Sequence, residues 1–167
     1  MNKLLLVILF LPVTTFAQAD YSQDVKSIDT IIASLYDVIS GEAGSARDWI
    51  RFKNLFTAEA RLIPTGKNKE GKFNYRTITP DEYIQMFTSR ISTGFFEREL
   101  HRTTEAYGTI VHVFSTYETK ETKDGAVTNR GINSIQLYFD GTRYYVVNIF
   151  WCAESLGFAL PEKYLSK

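Results

Sequence analysis

The sequence predicts an α+β fold in which N-terminal helices cover one face of a mostly antiparallel sheet. Three observations carry that prediction. Apolar residues at helical spacing are confined to stretches near 25–39, 46–56 and 80–91, residues 95–152 alternate as strands do, and Gly108, Asp124-Gly125 and Asp140-Gly141 divide that second region at turn-like intervals. Helical runs segregated from a run of strands argue for helices packed on one side of an antiparallel sheet.

The chain opens MNKLLLVILFLPVTTFAQAD, with Lys3, an apolar run from Leu4 to Val13 and the small-x-small site Ala17-Gln18-Ala19, which is the pattern of a secretory leader. The run is shorter than the roughly 20 apolar residues a bilayer core requires, and no later run approaches that length, so no membrane span is expected. The expectation is a leader over 1–19 and a single domain over 20–167, exported to the periplasm or the medium. The lone cysteine, Cys152, lies far from the cleavage site and has no partner for an internal disulfide, so packing alone must hold the domain. Removal of the leader takes one lysine and no acid, which leaves 18 basic against 19 acidic residues and no field that favours nucleic acid.

In the first helical stretch Ile28, Ile31, Ile32, Leu35, Tyr36 and Ile39 form one stripe, with Gly41 and Gly44 as the stop. In the second, roughly Ala46 to Phe56, Trp49, Phe52 and Phe56 share a face. ARLIPTG and KFNYRTI read as two short strands around a polar tip, Gly66 to Lys72. Thr79-Pro80-Asp81-Glu82 reads as a helix start, with Thr79 as cap, Pro80 in the first turn and Glu82 reaching back to the cap amide. Tyr83, Met86, Phe87 and Ile91 then line one side until Gly94. FFERELHRTTEAY and TIVHVFSTYETKET follow as long strands, and INSIQLYFDGTRYYVVNIFW closes the chain's sheet as a hairpin around Asp140-Gly141.

With Asp140-Gly141 as a two-residue turn, Leu137 pairs with Tyr144, Ile135 with Val146 and Asn133 with Asn148. Directly opposed residues share a face. One face then carries Leu137, Ile135, Asn133, Tyr144, Val146, Asn148, Phe150 and Cys152, and two asparagines interrupt an otherwise apolar surface. Two amides removed from water without partners would each cost about 1–3 kcal/mol. They form a structural pair, or they line a wet cavity, or the face assignment is wrong. The opposite face mixes Tyr138, Tyr145, Trp151, Gln136 and branched residues, an amphipathic surface suited to a homodimer through the open sheet face.

The order of elements, together with DWIRFKNLF, GFFERE, HVFSTYE and RGINSIQLYFDGTRYYVVNIFW, resembles the nuclear transport factor two-like superfamily, whose fold is the cystatin-like α+β roll also called SnoaL-like. The resemblance covers about residues 22 to 165. It implies a cone-shaped roll in which a curved sheet wraps a long helix and the mouth admits small apolar ligands. Members include ketosteroid isomerase, scytalone dehydratase, polyketide cyclases and proteins with no catalytic role, so function must be argued from the pocket. The Asp and Tyr pattern of steroid isomerisation is absent here, as is the histidine and tyrosine set of a scytalone dehydratase-like site.

The ligand-binding candidates are Asn133 and Asn148 as a polar floor, with Phe114, Phe150, Trp49, Phe52, Tyr83 and Phe87 as aromatic walls. His112, mid-strand in TIVHVFSTYE, is the candidate catalytic residue: a desolvated imidazole beside two amides could act as general base. The alternative is a core histidine bonded to an asparagine. Glu97, Glu99 and His101 alternate along the preceding strand, a spacing that suits a surface charge ladder as well as metal ligands, and no metal or other cofactor is expected. The expected partner is a small, largely apolar molecule. The functional expectation is an exported binding domain, with a cofactor-free lyase, isomerase or cyclase using His112, or a non-catalytic dimeric scaffold, as the alternatives.

Overall fold

The computed structural model describes residues 19–165, so the leader expected at 1–19 lies outside the described residues except for Ala19. Helix α1 (Ile28–Ile39) begins at Ser27, whose side chain and that of Thr30 cap each other's backbone amides. The expected stripe is buried: Ile31, Ile32, Leu35, Tyr36 and Ile39 all face inward. The helix stops at Ser40, whose Oγ donates to the Tyr36 carbonyl at 2.7 Å and accepts from the Glu97 amide at 2.9 Å. Helix α2 (Trp49–Asn54) is short and starts on an Asp48 cap, and α3 (Pro80–Arg90) has the expected Thr79 and Glu82 capping box. No helix among the described residues is long and apolar enough to cross a membrane.

Six strands, β1 (Phe56–Lys67), β2 (Phe73–Tyr75), β3 (Phe96–Tyr107), β4 (Ile110–Lys120), β5 (Val127–Phe139) and β6 (Tyr144–Ala153), form one open sheet in the order β2-β1-β6-β5-β4-β3. All neighbours are antiparallel except β1 and β6, which run parallel and join the N-terminal hairpin to the meander. The core lies between the helices and one face of this sheet, with Phe52, Leu55, Val113, Ile135 and Val146 completely enclosed. Trimming a side chain such as Phe52 to alanine would cost about 3–5 kcal/mol.

The last hairpin departs from the expected register in two steps. Asp140 Oδ1 accepts from the amides of Thr142 at 2.7 Å and Arg143 at 2.9 Å, so the turn uses four residues and Phe139 stands opposite Tyr144. That slide of two positions leaves every side chain on its original face. The second step does not. Gln136 pairs with Asn148 while Leu137 pairs with Val146, so Val147 is an extra residue bulging from β6, next to an irregularity in β1 between Phe56 and Arg61. The bulge exchanges the faces of everything after it. Ile149 and Trp151 turn toward the helices, and Asn148, Phe150 and Cys152 turn away. Asn133 lies opposite Trp151, so the expected pairing of Asn133 with Asn148 is corrected. A second bulge, between Glu99 and His101 in β3, keeps Glu97 and Glu99 on the helix side and moves His101 off it.

The face away from the helices is partly covered by the chain itself. Residues 154–165 return across it, with Phe158 against Phe73 at 5.2 Å and Tyr164 against Phe114 at 5.1 Å between ring centroids. Tyr138 and Val147 remain exposed on its other half.

Candidate functional site

Between α1 and the sheet lies a cavity of about 220 Å³. Each wall follows from a local feature of the sequence. Tyr36 comes from the buried stripe of α1, Phe52 from α2 and Tyr83 from α3, where the Thr79 cap sets the helix start. Phe52 and Tyr83 stack at 5.4 Å. The sheet supplies Glu97, Tyr117 and Asn133, and Trp151 enters because of the β6 bulge. Gly131, opposite Tyr117, is needed for space: a Cβ there would lie 2.6 Å from the Tyr117 hydroxyl and against the Cys152 carbonyl oxygen.

The polar floor is an ordered chain of hydrogen bonds. Ser115 Oγ donates to Glu99 Oε1 at 2.5 Å, which commits its only hydrogen. The 2.7 Å bond between Tyr36 and Ser115 must then run from the tyrosine hydroxyl to the serine oxygen. Tyr36, having given its hydrogen, accepts from Asn133 Nδ2 at 3.1 Å, which also fixes the orientation of the amide. Glu99 is further held by Arg102 at 3.2 Å, and Arg102 reaches Asp29 at 2.9 Å, although its Nη1 finds no partner. Asn133 is therefore satisfied by Tyr36, and Asn148 has no part in it.

Glu97 is the outstanding group. It lies on β3 opposite Thr119, and its backbone is anchored by Ser40. Asp24, Glu99, Glu118 and Glu154 are each paired with an arginine, whereas Glu97 has no cationic partner among the described residues. Burial pushes its carboxyl up to about 8, with the Asn133 amide offsetting only part of the effect. Burial also raises Tyr36, Tyr83 and Tyr117 far above the ordinary phenol range, with the Glu97 charge adding to it. Near neutral pH the cavity thus holds three un-ionised phenols and a carboxyl that is mostly protonated yet within reach of ionisation.

The structure brings together only some of the residues expected at the site. Asn133, Phe52 and Tyr83 line the cavity. Trp49 and Phe87 lie one layer out, with Trp49 edge-on to Phe52 at 5.7 Å and to Phe87 at 5.5 Å. His112, Phe114, Asn148 and Phe150 are on the opposite face of the sheet. Val111, Val113, Ser115 and Tyr117 are the buried, inward members of β4, which places His112 and Phe114 outside, and His112 Nε2 lies 3.1 Å from Ser134 Oγ. Asn148 and Phe150 are outside because of Val147. Among the described residues no cluster of three or more His, Cys, Asp or Glu could hold a metal ion.

Tyr36, Glu97, Tyr117 and Trp151 were missed as lining residues. Glu97 did carry a signal, since in GFFERE a carboxylate follows two phenylalanines directly and shares strand parity with Phe95. Tyr36 carried none, being one more apolar position on a helical stripe.

No protein-family profile matches the sequence, and no curated protein is similar to it. Solved structures are similar in fold. A protein of unknown function with a cystatin-like fold from Nostoc punctiforme is 11% identical with a TM-score of 0.57, over 75% of this chain and 87% of that one. Kfla4162 protein from Kribbella flavida is 8% identical at 0.53, over 75% and 87%. The yeast UBP3-associated protein BRE5 is 11% identical at 0.52, over 75% and 92%. Likeness at these identities speaks for the fold alone. With three helices laid on an open six-stranded mixed sheet, the described residues have a cystatin-like α+β roll.

Proposed function

We propose that this domain binds a small, largely apolar molecule in the cavity between α1 and the sheet. The observation that carries the reading is the composition of the cavity: aromatic and aliphatic side chains form most of the walls, and Glu97 and the Tyr36–Asn133 pair set a few polar groups among them. Sites for small molecules have this composition, with apolar walls for affinity and a few placed polar groups for orientation. A screen of small apolar compounds, read by the fluorescence of Trp151 and by thermal shift, tests it. Binding should be lost in Asn129→Phe, which narrows the half-exposed rim without disturbing the packed interior. Compounds whose binding ignores that substitution would sink the proposal.

A second reading, a cofactor-free lyase, isomerase or cyclase, is favoured by one observation. A carboxyl held near 8 is suited to moving a proton close to neutral pH. That reading gives Glu97 the acid–base role first considered for His112. Turnover lost in Glu97→Gln and kept in His112→Gln would support it. We also propose export through the leader at 1–19, testable by N-terminal sequencing of the protein recovered outside the cytoplasm. Homodimerisation through the exposed half of the outer face is testable by the mass in solution of Tyr138→Lys.

A further inference from the structure

We propose that the molecule bound in the cavity carries a single positive charge on nitrogen, as a protonated or quaternary amine, with Glu97 as its counter-ion and the surrounding rings as its cage. The inference rests on the pocket reading above and narrows its ligand class.

Three observations lead to it. The first is the missing cation. Arginines pair with Asp24, Glu99, Glu118 and Glu154, but Glu97, half-buried where the cavity and the neighbouring cleft meet, has none among the described residues. A carboxylate withdrawn from water is stable only when paired, so an ionised Glu97 needs a charge that the described residues do not provide.

The second is the shell around it. Tyr36, Phe52, Tyr83, Tyr117 and Trp151 line the same cavity. Aromatic faces attract a cation through the ring quadrupole, and rings combined with a carboxylate form the usual cage for quaternary ammonium groups. The same faces offer an anion nothing. Neutral ligands with an apolar body would fit the walls but would leave the carboxyl no reason to lack a partner.

The third is the approach. A cleft of about 620 Å³ opens beside the cavity and shares Tyr36 and Glu97 with it. Asp37 of α1, Glu99 of β3, Glu118 of β4 and Asp124 face this cleft against Arg98, Lys120 and Lys123. Three of those carboxylates are already paired, Asp37 with Arg51, Glu99 with Arg102 and Glu118 with Arg98 and Lys120, which leaves Asp124 against Lys123 and no net charge between those two to repel a cation.

Binding then has a defined proton balance. Below about 8 the free protein holds a proton on Glu97. The incoming cation displaces it to solvent, and no bond is made or broken elsewhere. The other groups facing Glu97 are Tyr36 from α1, Tyr83 from α3, Tyr117 from β4 and Asn133 from β5, none of which ionises in the same range.

Choline and its uncharged carbon isostere 3,3-dimethylbutan-1-ol test the proposal, because they share a shape and differ in charge. Their affinities are measured by calorimetry between pH 6 and 9 with the full chain, with Glu97→Gln and with Asn129→Phe. We expect choline to bind at least tenfold more tightly than the isostere at pH 8.5 and to lose that preference in Glu97→Gln. Its affinity should fall about tenfold for each pH unit below 8, with one proton released. Equal binding of both, or choline binding indifferent to Glu97→Gln, overturns the inference. Binding of the isostere alone overturns it too while leaving the pocket reading intact. If neither binds, the cation inference falls, and the pocket reading is decided by the apolar screen and its Asn129→Phe control.

Discussion

Glu97 and Glu99 stand two residues apart on one strand and one face of the sheet, yet the molecule treats them in opposite ways. Glu99 receives a serine hydroxyl and an arginine, and it anchors a hydrogen-bonded row that ends on Asn133. Glu97 receives neither arginine nor lysine among the described residues and faces a cavity. The contrast teaches that the absence is local: the same strand, one pair of residues on, carries a complete solution to the burial of a carboxylate. A group left short of partners inside an otherwise satisfied structure costs stability, and such departures collect at sites kept for function.

The comparison can be broken most forcefully from the Glu99 end. Arg102→Ala leaves Glu99, like Glu97, without a cation though still bonded to Ser115, and the urea unfolding free energy should fall by about 2–3 kcal/mol, the lower part of the range for a broken buried pair because both side chains keep some exposure. A loss below 0.5 kcal/mol, on the scale of an ordinary exposed pair, would mean that the two ends do not differ in the way described.

The Glu97 end should betray itself through pH. Its carboxyl rises from 4.5 toward about 8 on folding, so between those values the folded state holds a proton that the unfolded state releases. Stability attributable to this group is complete below 4.5 and declines as pH rises through 8, by at most about 1.4 kcal/mol per pH unit. Asp24, Asp48 and Glu82 shift downward and act in the opposite sense, losing their contribution in acid, so the window from pH 5.5 to 8.5 isolates Glu97. Urea titrations across that window should slope downward for the wild type and lie flat for Glu97→Gln.

The row itself is the next target. Tyr36→Phe removes the acceptor of the Asn133 amide and should cost about 1–3 kcal/mol in chemical denaturation. Asn148→Leu, on the other side of the sheet, should change stability by less than about 0.5 kcal/mol, as surface substitutions do. Equal effects of the two would contradict the unequal burial of the two asparagines. The smallest expected effect is that of His112→Gln, which should leave binding in the cavity unchanged by calorimetry.

Much of the fold was legible because it depends on short-range chemistry. The α1 stripe, the Thr79–Glu82 box and the location of the last turn each follow from neighbours a few residues apart. The roll itself was indicated by element order. The site was legible only in part, and the cause is a single residue. Val147 sits between two ordinary strand residues in YYVVNIFW, and nothing in that string distinguishes a bulge from regular alternation. Its presence reverses the face of Asn148, Phe150 and Trp151, and Leu100 does the same for His101. Parity arguments hold only up to the first bulge. Asn133, whose strand runs without an extra residue from Asn129 to the turn, was assigned to the helix side, where it lies.

The row from Asn133 to Glu99 has a direction. Each hydroxyl has one hydrogen, and the ionised carboxylate at the far end decides where all of them point. Tyr36 consequently turns an oxygen lone pair, and not its hydrogen, toward Asn133. The chamber floor is therefore polarised from a distance: Glu99, which does not line the cavity, decides that Asn133 turns its nitrogen toward Tyr36.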